Sequence, residues 1–168
     1  MQTKHYCDGK LPHCISIHFN LEDLTKTNTN ASNTPHEPGV ITNLRKVAEH
    51  ILEPVRKHFD RKVIIHSGYR SPAVNKLVGG SNNSQHSRGE AVDFSVQGYT
   101  VHEVANWIKD NLTFDQLILE HFLPNSPHSG WVHCSYSHQN RCSVLTKFKG
   151  SQIYYPGILL TPPEKALK

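Results

Sequence analysis

Residues 62–96 read KVIIHSGYRSPAVNKLVGGSNNSQHSRGEAVDFSV, and the order of elements in this stretch decides the fold. Lys62 to Gly68 is short and β-branched, the pattern of a strand, and it stops at the glycine. Ser71-Pro72 then starts a helix, because proline in the first turn gives up an N–H that has no helical partner there. That helix runs through AVNKLV and gives way at GGSNNSQ, whose glycines and asparagines make a loop. A second strand, EAVDFSV, begins at Glu90.

Upstream, Ile41, Leu44, Ala48, Ile51, Leu52, Val55 and Phe59 recur at helical spacing. They predict a long amphipathic helix from Gly39, bent or interrupted at Pro54, which lacks a backbone donor. Its apolar stripe has the ordinary task of packing on a sheet. Downstream, Thr100 and Glu103 form a capping box for VHEVANWIKDNL, with Val101, Val104, Ala105, Ile108 and Leu112 on the buried side. FDQLILE and GWVHCSY read as strands, and RCSVLTKF as a further one. The expected class is α+β, with a mainly antiparallel sheet and helices packed against it.

A chain of 168 residues suits one compact domain. Residues 1–38 form an N-terminal segment that is partly loop, through the polar run KTNTNASNTPHEPG. Residues 39–150 carry the periodic elements, and 151–168 read as a tail ending in TPPEKALK. No internal repeat is visible. No stretch approaches the roughly 18 consecutive apolar residues of a membrane span. The amino terminus, MQTKHYCDGKLPHC, lacks the apolar run of a secretory signal, so the expectation is a cytoplasmic product or one whose leader was removed.

The net charge of +4 is modest and its lysines and arginines are scattered. A basic face suits approach to a polyanion, whether cell wall, membrane surface or nucleic acid, and does not choose among them. The four cysteines, Cys7, Cys14, Cys134 and Cys142, do not make the paired C-x-x-C knuckles of a structural zinc site. Cys134 and Cys142 could face each other across a hairpin centred near His138, but reduced cysteines are expected of a cytosolic protein.

The 13 histidines raise the prospect of a metal site, since imidazole is a common ligand. His86 closes the flexible loop, Gly89 permits a tight turn, and Asp93 lies on the strand just beyond. A turn that folds His86 back beside Asp93 joins an imidazole to a carboxylate, and His133 of GWVHCSY supplies a second imidazole from elsewhere. Three such ligands and an open fourth position make a catalytic zinc site. Spacing alone leaves an alternative open: a loop histidine, a strand-end carboxylate and a half-buried sheet histidine with its nitrogens hydrogen-bonded.

The run S-G-Y-R-S-P-A-V-N, the loop G-G-S-N-N-S-Q-H, the pattern S-x-H-x-x-G-x-A-x-D from Ser84 to Asp93, and W-V-H from Trp131 to His133 resemble a known signature. It is that of the zinc D-Ala-D-Ala carboxypeptidases, M15-like peptidases that include the L-alanyl-D-glutamate endopeptidases used as phage endolysins. The resemblance spans Gly39 to Tyr136. It implies a zinc peptidase domain over 39–150 with one zinc ion per chain, held by His86, Asp93 and His133 in a cleft on the sheet. Two neutral imidazoles and one carboxylate leave the metal a net positive charge, which lowers the pKa of a bound water and polarises a carbonyl.

Such a peptidase needs a base, and Glu120 is the candidate, at the end of a strand expected beside that of His133. The zinc-binding signalling domain of hedgehog proteins has a similar F-D-x-x-x-x-E before H-C-S, although the interval here, HFLPNSPHSGWV, is longer. His128 and Asp115 are weaker candidates. The resemblance gives Arg70 the role of binding substrate or polarising its carbonyl, which a planar, permanently charged guanidinium suits. Ser84 is a further candidate to touch substrate or to orient His86, and Gln85 to support it from behind. Tyr69 and Trp131 are candidate cleft residues, with core packing the alternative.

The implied function is hydrolysis of an amide bond in peptidoglycan stem peptides, as D-Ala-D-Ala carboxypeptidase or L-Ala-D-Glu endopeptidase, by zinc-activated water. Without its own signal, an endolysin accumulates in the cytoplasm and acts in the wall or periplasm. The expected partner is the stem peptide alone, with no nucleic acid and no membrane span, and the expected state is a monomer. The alternative is a zinc-stabilised binding module of the same fold without turnover.

Overall fold

A computed structural model of the chain describes residues 13–163. Six strands form one sheet in the order β1-β2-β4-β3-β5-β6. They are β1 (Val63–Ser67), β2 (Ala91–Val96), β3 (Gln116–Phe122), β4 (Trp131–Ser135), β5 (Ser143–Phe148) and β6 (Tyr155–Pro156). Every pairing is antiparallel except β3 with β5. The helices are α1 (Leu21–Thr25), α2 (Pro38–Val47), α3 (Glu53–Phe59), α4 (Pro72–Leu77) and α5 (Val101–Asn111). The class is α+β, as the sequence predicts.

Alternation along the strands sorts the side chains into two faces. One face carries Val92, Phe94 and Val96 of β2, Val132 and Cys134 of β4, and Leu117 and Leu119 of β3, all buried in the core. Val47, Ile51 and Val55 from the long helix, with Val104 and Ile108 of α5, join the same core. A Leu→Ala change at a fully buried position such as Leu44 would cost about 2–5 kcal/mol. The other face bears Asp93, His133, Ile118, Glu120, Trp131 and Lys147.

The expected long helix forms, and Pro54 is accommodated by widening it. Between α2 and α3 lies a π-turn, Ala48–Leu52, where the Glu53 N–H reaches the Ala48 carbonyl. The extra residue makes room where the proline ring would meet the preceding turn. Thr100 and Glu103 cap α5 reciprocally, as their spacing predicts.

The segment before α2 is tied to the body. The Glu53 carboxylate accepts from Ser16 Oγ at 2.6 Å and from the His18 N–H at 2.8 Å. The buried Asn33 amide donates to the Thr25 and Tyr69 carbonyls and accepts from the Ser71 N–H. Gly68 lies so close that a Cβ would stand 2.3 Å from the Leu24 carbonyl oxygen. Residues 151–168, read as a tail, include β6, and Thr146 Oγ1 binds the Gly157 carbonyl and the Leu159 N–H. Of TPPEKALK, residues 164–168 lie outside the described part, as does Cys7.

The reduced state expected of Cys134 and Cys142 holds, though without the hairpin between them. No Cys134–Cys142 hairpin forms, because Arg141 is held by Asp115 and Cys142 by the Phe114 carbonyl, which steers β5 alongside β3. Both cysteines are free thiols, Cys134 buried and Cys142 exposed. Cys14 is disulfide-bonded, with its partner outside the described residues. No described helix is long and apolar enough to cross a membrane.

Candidate metal centre

The loop after α4 ends in a helical turn, Gln85–Arg88, that Gly89 closes at φ +70. Glycine is required twice over, since a Cβ here would also meet the Val40 carbonyl oxygen at 2.7 Å. The turn folds His86 back over β2. Its main chain is fixed by the Arg70 N–H on the His86 carbonyl, 3.2 Å away, and by the Glu90 N–H on Gln85 at 2.9 Å. Asp93 and His133 are cross-strand partners in the β2–β4 register, so the sheet itself sets their approach.

Three ligand atoms converge there. His86 Nε2 lies 3.2 Å from His133 Nδ1, His133 Nδ1 is 2.8 Å from Asp93 Oδ1, and His86 Nε2 is 3.3 Å from the same oxygen. Ligands about 2.0–2.1 Å from a tetrahedral zinc stand about 3.3 Å apart, so the set closes on an ion with little movement. His86 Nδ1 is 2.7 Å from the Gly68 carbonyl. That contact holds the imidazole proton on the outward nitrogen and leaves Nε2 its lone pair, the usual support of a metal-binding histidine. All three residues are buried, at 3%, 3% and 8% exposure, and they can hold a metal ion. Burial pushes the Asp93 carboxyl up. The two imidazoles beside it, His86 foremost, outweigh that and hold the group well below the usual carboxylate range.

Arg70 stands at the same point. Its Nη2 donates to Asp93 Oδ2 at 2.5 Å and lies 3.3 Å from His86 Nε2, while Nε donates to Ser67 Oγ at 2.7 Å. Glu120 is one row along the sheet face, opposite Trp131, whose indole N–H donates to Glu120 Oε2 at 3.1 Å. An open cavity of about 990 Å³ takes in the three ligands together with Arg70, Glu120 and Trp131. Ser84 lines it as well, as does Tyr69, which is only 6% exposed and packs mainly in the core.

A match to the Peptidase M15 family profile covers residues 17–135, and every residue of this constellation falls inside it. The chain belongs to the peptidase M15 family. No curated protein matches it.

For an M15 peptidase, the remaining candidates sort by their partners. Gln85 donates to Asp115 Oδ2 at 2.7 Å, so it supports the His86 turn from behind. Asp115 has its oxygens taken by Arg141 and Gln85, which removes it as a base. His128 is exposed and lies outside the cavity lining.

Two residues on the same face escaped the sequence reading. His66 lines the cavity, with Nε2 2.9 Å from Ser95 Oγ. Burial lowers its pKa, against the pull of Asp93. His121 stacks on Trp131 with centroids 4.8 Å apart and planes 17° from parallel. It sits at the register shift between Glu120 and Phe122 with φ 54, a left-handed bulge that turns its ring onto the indole. The only signal was a polar residue interrupting the alternation at the end of β3.

Proposed function

We propose that this M15 peptidase hydrolyses an amide bond in peptidoglycan stem peptides, using one zinc ion held by His86, Asp93 and His133. The observation that carries the reading is the combination in one cavity: ligand atoms at tetrahedral spacing, with a carboxylate one row away and a guanidinium at the same point. Zinc bound there supplies electrophilic polarisation of the carbonyl and acidifies water.

The chain's own groups do the rest. The Glu120 carboxylate accepts a proton as water attacks the carbonyl carbon, and returns it to the nitrogen as the C–N bond breaks. Trp131 keeps one oxygen of that carboxylate fixed while the other stays free to take the proton. Arg70 offers N–H donors to the oxygen on which negative charge grows. Residues of the long helix and α5 fill the opposite face of the sheet, so substrate enters from the open side alone.

The cavity extends from Lys26 before β1 to Lys147 and Tyr154 beyond β3, with the ligands between. A peptide can therefore lie on both sides of the scissile bond, which favours the endopeptidase over the carboxypeptidase. A disulfide at Cys14 persists in an oxidising compartment, which suits action in the wall or periplasm after cytoplasmic accumulation.

Mass spectrometry of muropeptides before and after digestion by the zinc-loaded protein tests this reading and names the bond. New amines and carboxylates should appear with the native protein and be absent with Glu120→Ala at unchanged zinc content. No cleavage of any wall type by the zinc-loaded native protein would leave the zinc-stabilised binding module in its place.

A further inference from the structure

Strands β5 and β6 lie beyond residues 17–135 that the family profile matches, yet they widen the sheet on the side of Glu120. Lys147 of β5 stands opposite Glu120 in the parallel register and so shares its face. It is half-buried, unusual for a lysine, and it lines the cavity. Its ammonium donates to the Tyr154 hydroxyl at 3.3 Å and sits 4.8 Å from that ring's centroid.

The cations around this cavity differ in what neutralises them. Arg70 is paired with Asp93, Arg88 with Glu90 and Arg141 with Asp115. Among the described residues, neither lysine of the lining has a carboxylate within ion-pair reach, but Lys26 is exposed to solvent whereas Lys147 is half-buried, with Glu120 on the neighbouring strand. A half-buried ammonium with one neutral partner keeps donors and charge for an anion from outside.

We propose that Lys147 and Tyr154 form a subsite for a free carboxylate of the peptide substrate. The ammonium forms the ion pair and the tyrosine hydroxyl donates beside it. Two strand spacings across and two residues along the sheet put Lys147 roughly 12 Å from His133, so the recognised carboxylate lies about three extended residues from the scissile bond. The assignment rests on the peptidase reading for the orientation of substrate, while its test does not depend on turnover.

Calorimetry with zinc-loaded Glu120→Gln protein measures binding without cleavage. The probes are a stem peptide with its carboxylates free and the same peptide with them converted to amides. The expected result is preference for the free acid, lost in the added Lys147→Met change through about a tenfold weaker Kd for the acid alone. Tyr154→Phe should weaken the acid less. Equal weakening of both peptides, no weakening, or no binding of the acid by the Glu120→Gln protein overturns the subsite. Zinc content and melting temperature of Lys147→Met should match the parent, because the stem that packs on the sheet is kept. Muropeptide digestion decides separately whether the protein is a peptidase, so the two failures remain distinct.

Discussion

Asp93 and Asp115 are both buried, both stand beside an arginine, and both have carboxyls held well below the usual range, yet only Asp93 stands in a group that could hold a metal ion. The difference lies in their partners. Asp115 meets N–H donors: the Arg141 main chain and Nε on Oδ1, and Arg141 Nη2 and Gln85 Nε2 on Oδ2. Its hydrogen-bonding capacity is used and nothing converges on a vacant point. Asp93 shares Oδ1 with two imidazole nitrogens, one of which has its proton held outward by Gly68. Lone pairs aimed at one spot call for a cation. A depressed carboxyl alone thus does not mark a site, because a structural ion pair produces it as readily.

Removing one imidazole breaks the contrast most severely. His86→Ala should abolish peptidase activity and lower bound zinc well below one per chain, by more than the 10–100-fold in affinity that loss of a supporting group costs. Its melting curve should resemble that of the chelated native protein, since an ion bound only to the folded state stabilises that state. Full zinc retention by His86→Ala, measured by atomic absorption, would take His86 out of the ligand set.

Glu120→Gln should lower kcat about 10²–10⁴-fold while zinc content and melting temperature stay at native values. A comparable loss of zinc would instead make Glu120 part of the metal shell.

Asp115→Asn should act on stability alone. The expected cost at neutral pH is about 1–3 kcal/mol, limited because Arg141 is 54% exposed and recovers solvation when released. The Arg141 hydrogen bonds and charge depress the folded carboxyl, so its contribution is present above the ordinary aspartate range near pH 4 and is lost as pH falls below it. Native and Asp115→Asn melting temperatures should therefore differ at pH 7 and draw together below about pH 4. Full zinc content in the variant would keep the two aspartates distinct, and its loss would join them.

What the sequence revealed follows the range of the forces involved. The helices were legible because capping and periodicity are local: Thr100 with Glu103, Ser71 with Pro72, and the stripe from Ile41 to Phe59. His86 and Asp93 were legible because their loop, glycine and strand sit close in sequence, and His133, 40 positions beyond Asp93, only because W-V-H resembles a known signature. The course of β5 was not, since it depends on Arg141 meeting Asp115 across 26 positions. Nor was the support of Glu120, because His121 reaches Trp131 only through a bulge and a hairpin. Asp115 looked like a spare base for the same reason: its saturation by Arg141 is tertiary.

Glu120 is intermediate between the two aspartates, with an indole N–H on one oxygen and the residue itself lining the cavity. If that single donor holds the carboxylate in place, Trp131→Phe should lower kcat by about tenfold or less, with KM and zinc unchanged, since the ring remains to stack on His121. A loss of packing would also slow the enzyme, so the rate alone does not separate the two roles. The double variant does. In Glu120→Gln the base is already gone, and adding Trp131→Phe should then cost almost nothing, because two residues acting through one proton transfer are not additive. The same fold loss in both backgrounds would show that the indole shapes the cavity independently of Glu120.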